Sequence, residues 1–177
     1  MPRVAELTLV IGGARSGKSR YAESLIAKLP PPWVYVATAE AGDAEMAARI
    51  SAHRARRGAD WQTIEAPRNL ADALSACDAV PVVVDCLTLW LSNLMLANAD
   101  IDAETAQLED ALATAKAPVV LVANEVGSGI VPEHALGRRV RDLQGVLNQR
   151  MAAHAERVIL MVAGLPLTVK SAEDLSP

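Results

Sequence analysis

The chain has 177 residues with a formal net charge of −4, 51% hydrophobic and 21% charged residues, the profile of a soluble globular protein of ordinary domain size. That balance excludes the basic footprint of a nucleic-acid binder, and three Trp, two Tyr and no Phe leave few platforms on which bases could stack. No apolar run approaches a membrane span, Met1 to Glu6 carries no secretory h-region, and Cys77 and Cys86 make neither a disulfide framework nor a metal spacing, so a reduced, cytoplasmic setting is expected.

The first predicted strand, Leu7–Ile11, runs into Gly12-Gly13-Ala14-Arg15-Ser16-Gly17-Lys18-Ser19. Two glycines separated by four residues and followed by Lys-Ser fit the phosphate-binding P-loop pattern. Glycine permits the positive φ and the close approach that aim successive backbone N–H groups at an anion. Lys18 would reach the β/γ-phosphates, and the Ser19 hydroxyl would hold Mg²⁺. A helix predicted over 18–29, with Ala22, Leu25, Ile26 and Leu29 on one face, completes the order that puts a helix N-terminus under phosphates. A nucleoside triphosphate is the expected ligand.

Pro30-Pro31-Pro32 ends that helix, and the second strand, Trp33–Ala37, leads into Thr38-Ala39-Glu40. A helix over 43–57, capped by Asp43, precedes a short edge or connecting strand, Trp61–Ile64, and a helix over 69–77. The strand Val82–Val84 is followed by Asp85, with Cys86 beside it reading as a buried free thiol. Helices over 87–97 and 102–115 lead to the strand Val119–Ala123, which is followed by Asn124-Glu125. A helix over 135–155, the strand Val158–Val162 and a polar tail, Ala172–Pro177, complete the chain.

Nearly continuous Val/Ile/Leu runs alternating with helical patterns predict an α/β fold: a P-loop NTPase-like three-layer α/β/α architecture with a mostly parallel central sheet. One domain is expected over residues 1–177, with its core at about 7–170. In such sheets ligands bind beyond the carboxyl ends of the strands, so the polar residues after each strand should converge on one crevice.

Asp85 stands where P-loop proteins place the second Mg²⁺ anchor. The stretch Asp85-Cys86-Leu87-Thr88 lacks a switch glycine and no Asn-Lys-x-Asp guanine motif occurs, which argues against a signalling GTPase. On the helix over 43–57, Arg49, His53 and Arg57 stack at four-residue intervals with Arg56 beside them. A neutral imidazole among guanidinium groups suits nucleophilic attack on phosphorus, because the cations disfavour its protonation and stabilise charge in transfer. On pattern alone, the commoner reading of such a face is a solvated basic surface. Asn124-Glu125-Val126-Gly127-Ser128-Gly129-Ile130-Val131-Pro132 reads as a strand-to-helix loop whose glycines allow close approach to a ligand, with Glu125 over the crevice. Arg138, Arg139, Arg141, Asn148, Gln149 and Arg150 line the same mouth or face water, and His134 and His154 read as surface or helix-end residues.

Together these stretches resemble the bifunctional adenosylcobinamide kinase/adenosylcobinamide-phosphate guanylyltransferases of cobalamin biosynthesis. The matching strings are Gly12 to Arg20, Ala37-Thr38-Ala39, Glu45-Met46 through Arg49-Ile50 to His53-Arg54, Trp61 to Glu65, Asn124 to Pro132, Arg141-Asp142 and Asn148-Gln149. The likeness runs from about Leu7 to Lys170. It implies two reactions: a nucleoside triphosphate, GTP or ATP, phosphorylates the aminopropanol hydroxyl of adenosylcobinamide, and a histidine then carries GMP from GTP to the resulting phosphate.

Carried over, His53 is the guanylylated residue and Lys18 the catalytic lysine of the P-loop. Gly12, Gly13, Ala14, Arg15, Ser16, Gly17, Lys18 and Ser19 cradle phosphates. Thr38, Ala39, Glu40, Arg54, Ala55, Arg56, Arg57, Glu65 and Asp85 contact nucleotide, with Ser19 and Asp85 serving Mg²⁺. Ala52 precedes a single His53, where some relatives carry adjacent histidines. The resemblance also implies a homotrimer, a corrinoid as the small-molecule partner, and neither nucleic acid nor membrane. Two other readings are a P-loop kinase for a different small alcohol, with no covalent nucleotide, and a non-catalytic nucleotide-binding module.

Overall fold

The computed structural model describes residues 6–42, 44–77 and 79–171, with Arg49 described in its backbone only. The expected cap Asp43, the stacking of the Arg49 side chain and the tail from Ala172 lie outside the described residues. Thirteen elements follow in order: β1 (Leu7–Gly12), α1 (Lys18–Ile26), β2 (Trp33–Ala37), α2 (Ala44–Ala55), β3 (Trp61–Glu65), α3 (Leu70–Ala76), β4 (Val82–Asp85), α4 (Leu87–Leu96), α5 (Ile101–Ala113), β5 (Val119–Asn124), α6 (Ala135–His154), β6 (Arg157–Val162) and β7 (Leu165–Lys170). The seven strands form one sheet in the order β3-β2-β4-β5-β1-β6-β7, parallel except for β7. The expected three-layer α/β/α arrangement is what is found.

The Val/Leu runs are continuous because both faces of the sheet are covered. Alternate residues Leu9, Val36, Val84 and Leu121 pack under α3 to α6 with Leu70, Leu87, Trp90, Leu91, Leu108 and Met151. The opposite alternation, Val10, Tyr35, Val83, Val120 and Ile159, packs under α1 with Ala22 and Ile26. Trp90 is buried and its indole N–H reaches the Arg68 carbonyl at 2.7 Å, so its polar atom is satisfied. Trp61–Glu65 is an edge strand as expected, and the rings of Trp33 and Trp61, paired across β2 and β3, lie 5.2 Å apart.

The predicted helices are present with trimmed ends. α1 stops at Ile26 rather than 29, and α2 at Ala55 rather than 57. Strand β7 is the element the sequence analysis did not anticipate. It returns antiparallel to β6 through Ala163-Gly164, both at positive φ (51° and 80°), the twist that a tight hairpin needs. The alternation Leu165-Pro166-Leu167-Thr168-Val169 was its signal; the proline is tolerated because β7 is an edge. Among the described residues no helix is long and apolar enough to cross a membrane.

α5 and α6 are joined by Arg150, whose Nε and terminal nitrogen donate to the two oxygens of Glu109 at 2.8 and 2.7 Å. Hydrogen bonding from Arg150 holds the Glu109 carboxyl below its ordinary value of 4.5. A depressed carboxylate stabilises the fold above its unfolded pKa, and that contribution is lost as pH falls through the folded one. Arg150→Met should therefore lower the unfolding free energy by about 1 kcal/mol at neutral pH, with the gap closing as Glu109 protonates below 4.5. Urea unfolding at neutral and acid pH measures it, and a gap that does not depend on pH contradicts the assignment.

Candidate active site

The P-loop joins the end of β1 to the start of α1, at the carboxyl edge of the sheet. Gly12 is obligatory by close approach, since a Cβ there would meet the Met161 carbonyl oxygen and Ser16 Oγ at 2.7 Å. Gly17 caps α1 with φ 93°, a conformation side chains resist. Arg15 also lies at positive φ, 56°, within the loop. The overlooked hairpin props this loop from behind: the Gly164 N–H donates to the Ser16 carbonyl at 3.0 Å.

Lys18 is buried, and its Nζ donates to the Gly13 carbonyl at 2.6 Å, so the side chain folds back across the loop. Burial lowers its pKa from the ordinary 10.5, while nearby charge, including that of Asp85, acts in the opposite sense. Ser19 lies half-buried in the first turn of α1. A Ser hydroxyl and an Asp carboxylate are hard oxygen donors, a set that fits Mg²⁺ retaining waters and phosphate oxygens. Asp85 closes β4, and one of its oxygens accepts the Tyr35 hydroxyl at 2.7 Å. Burial, then the Asp85 charge, push the Tyr35 phenol far above its ordinary value, so it remains the donor.

Thr38 does not fit the expectation of a nucleotide contact. It is fully buried, and its Oγ1 donates to the Cys86 carbonyl at 2.7 Å while accepting the Cys86 N–H at 2.8 Å. Its work is to fasten the end of β2 beside Asp85. Asn93 adds to this, donating to the carbonyls of Thr38 and Pro67 at 2.8 and 2.9 Å. Ala39 is half-buried and Glu40 exposed at the same edge. Cys86 is a buried free thiol whose pKa burial pushes up to about 12, which leaves it inert.

His53 lies near the end of α2, half-buried, with Nδ1 3.3 Å from a terminal nitrogen of Arg56. A guanidinium only donates, so this contact requires Nδ1 to carry no proton, as a nucleophilic imidazole must at one nitrogen. Arg54 pairs with Glu65 at the end of β3, and Ala55 is exposed beside it. Arg57 turns inward instead: its guanidinium lies 3.7 Å over the Tyr35 ring and donates to Thr63 Oγ1 at 3.3 Å. Arg56 and Arg57 both approach Glu23 of α1, at 3.7 and 4.0 Å. A chain of contacts thus runs from His53 through Arg56, Glu23, Arg57 and Tyr35 to Asp85. Tyr35 and Glu23 were missed because one sits within a Val-rich strand and the other looked like an ordinary polar position on α1.

The loop after β5 joins the same edge. The Glu125 N–H donates to the Gly12 carbonyl at 3.0 Å. The Glu125 carboxylate does not hang over the crevice. It folds onto its own loop, accepting from the Ser128 hydroxyl at 2.7 Å and the Gly127 N–H at 2.8 Å, bonds that hold its pKa below the ordinary value. Asn124 is bracketed by Thr88 Oγ1 at its N–H and by the Asn148 amide at its carbonyl, 2.8 and 3.0 Å away. From α6 Asn148 therefore supports the site, whereas Arg138 bonds the carbonyls of Pro132 and Glu133, and Arg150 belongs to the α5 contact. His134 caps α6 and His154 ends it, 3.4 Å from Glu109.

Solved structures with the same fold include one from Pyrococcus horikoshii OT3, at TM-score 0.57 and 11% identity over 97% of this chain and 89% of that one. Another is an ATPase of a bacterial type III secretion system, at TM-score 0.55 and 12% identity over 93% of this chain and 57% of that one. At such identities the likeness is one of fold. Sequence relatives are far nearer. The bifunctional adenosylcobalamin biosynthesis protein CobP of Pseudomonas aeruginosa is 48% identical over 92% of this chain and 96% of its own length. CobU of Salmonella typhimurium is 43% identical over 93% and 99%, respectively. The model of one family, described as cobinamide kinase/cobinamide phosphate guanyltransferase, matches residues 8–169. With that match spanning nearly the whole chain, P-loop, His53 helix and strand-end loop included, this protein belongs to the cobinamide kinase/cobinamide phosphate guanyltransferase family.

Proposed function

We propose that the chain phosphorylates adenosylcobinamide and then, through a guanylylated His53, transfers GMP from GTP to adenosylcobinamide phosphate, giving adenosylcobinamide-GDP. It is a bifunctional kinase and guanylyltransferase, as its family is. The observation that carries the histidine's part is the side-chain chain from His53 through Arg56 and Glu23, which ties it to the helix that begins at Lys18.

In the first reaction the substrate hydroxyl attacks the γ-phosphorus of GTP or ATP, and the bond to the β-phosphate oxygen breaks. The P-loop N–H groups at the start of α1 and the Lys18 amine, once released from Gly13, stabilise the charge on the transferring group. Ser19 and Asp85 are the residues that would hold Mg²⁺, which neutralises phosphate charge when bound. In the second reaction an imidazole nitrogen of His53 attacks the α-phosphorus of GTP and pyrophosphate leaves. The phosphate of adenosylcobinamide phosphate then attacks the same phosphorus, the P–N bond breaks, and the imidazole is restored. Arg54, on α2 with His53, and Arg56, just past the end of that helix, take up phosphate charge in these steps.

A homotrimer in the cytoplasm is part of the reading. Its support within the fold is the β6–β7 hairpin, where Val162, Leu165, Leu167 and Val169 are more than half exposed, an apolar surface of the kind subunits cover. The apolar Ile130, also exposed, lies on the loop tied to the P-loop through Glu125.

Two outcomes are expected. Protein incubated with Mg²⁺ and GTP labelled at the α-phosphate should retain acid-labile, alkali-stable label after denaturation, and His53→Ala should retain none. Label persisting in that variant, or absent from active parent protein, removes the histidine from the mechanism. Asp85→Asn should raise the Mg²⁺ concentration for half-maximal phosphoryl transfer by about tenfold, consistent with loss of one charged oxygen ligand. An unchanged Mg²⁺ dependence would show that Asp85 serves only Tyr35.

A further inference from the structure

The charged contacts between α1 and the residues just past the end of α2 are unusual. Glu23 stands in α1, five residues beyond Lys18, with a side chain only 16% exposed. Its Oε1 makes no hydrogen bond, although guanidinium nitrogens of Arg56 and Arg57 stand 3.7 and 4.0 Å from it. The Arg57 side chain is 5% exposed, and its Nε and one terminal nitrogen likewise have no hydrogen-bond partner. Buried charged groups are normally fully hydrogen-bonded, and an apolar pair of similar volume would stabilise such a place as well or better. Stability therefore does not account for this cluster.

Its geometry does suggest a task. Glu23 belongs to the rigid helix whose first turn carries Lys18 and Ser19, so its carboxylate moves with the phosphate site. Arg56, held toward that carboxylate, is the residue whose guanidinium meets Nδ1 of His53. Arg57, held toward it from the other side, stacks on Tyr35, whose hydroxyl binds Asp85. One carboxylate thus gathers two guanidinium groups and through them the histidine-bearing end of α2. The separations near 4 Å hold those arginines by charge rather than by a hydrogen bond.

We propose that Glu23 is a positioning residue for guanylyl transfer: from the P-loop helix, its carboxylate sets where Arg56, Arg57 and the His53 end of α2 stand relative to the bound triphosphate. This role rests on the reading of His53 as the guanylylated residue. It goes beyond that reading by assigning the alignment to a residue that touches neither nucleotide nor the reacting atoms. Phosphoryl transfer to adenosylcobinamide does not use α2 in this way and should be much less sensitive to Glu23 than the labelling of His53.

The test is Glu23→Gln, nearly identical in shape and lacking only the charge. At saturating GTP the rate of label transfer from α-labelled GTP to His53 should fall about tenfold or more, the scale expected when an attacking group is misplaced by a fraction of an ångström. The GTP concentration for half-saturation and the rate of adenosylcobinamide phosphorylation should change less than about threefold. Adding Glu23→Gln to Arg56→Gln should cost little beyond Arg56→Gln alone, because both act through one contact. Amide exchange should quicken over residues 50–57 and not in α1. Equal loss of both reactions, additive losses, or an unaltered labelling rate in Glu23→Gln overturns the role alone. Absence of label from the parent protein overturns the histidine reading and this role with it.

Discussion

A buried lysine is the constraint around which the site is built. Lys18 has almost no exposed surface, burial works against its charge, and its amine rests on a carbonyl of its own loop at 2.6 Å. An anionic ligand would add to the countercharge that Asp85 already supplies. The surrounding contacts keep the loop in the shape that makes the lysine useful. Gly164 binds Ser16 from behind, the Glu125 N–H binds Gly12 from the side, and Thr38 pins Cys86 next to Asp85. Each comes from a different strand end, so it is the strand order β2-β4-β5-β1-β6 that assembles the site.

The loop, helix and sheet of this arrangement were legible in the residues. An apolar run, a glycine-rich loop ending in Lys-Ser and a helical pattern have one common physical use, and the sheet they belong to follows from the continuous Val/Leu runs. The position of Asp85 at the carboxyl edge of the sheet was legible because it directly follows a buried Val run. The hairpin partner β7 was not foreseen, although Ala163-Gly164 before an alternating run carried its signal. Thr38 reads as a nucleotide contact by resemblance and by its place after a strand; only the fold shows that its hydroxyl is fully engaged by Cys86. Glu125 was misjudged for a similar reason, since the loop's own Gly127 and Ser128 donors capture its carboxylate.

The basic helix marks the limit of pattern reading. Arg54, Arg56 and Arg57 are near neighbours in sequence yet have three different fates: one pairs with Glu65 at the surface, one reaches Glu23 beside His53, and one is buried on Tyr35. Periodicity distinguishes none of these, because the partners come from β3, α1 and β2. What the tertiary structure adds is a set of contacts that links His53 on one element to the P-loop helix on another. A single scaffold can then serve phosphoryl transfer, which needs positioning and charge, and, on the proposed reading, a guanylyl transfer that adds a covalent carrier.

The measurement that bears most directly on this account is a chase. Protein labelled by α-labelled GTP is freed of nucleotide and mixed with adenosylcobinamide phosphate alone. The account predicts that label leaves the chain as adenosylcobinamide-GDP in a single turnover, at least as fast as steady-state product formation, and that digestion before the chase places it on the peptide containing His53. Label that stays on the chain while fresh GTP and substrate yield product would contradict it, since the guanylylated histidine would then lie off the reaction path.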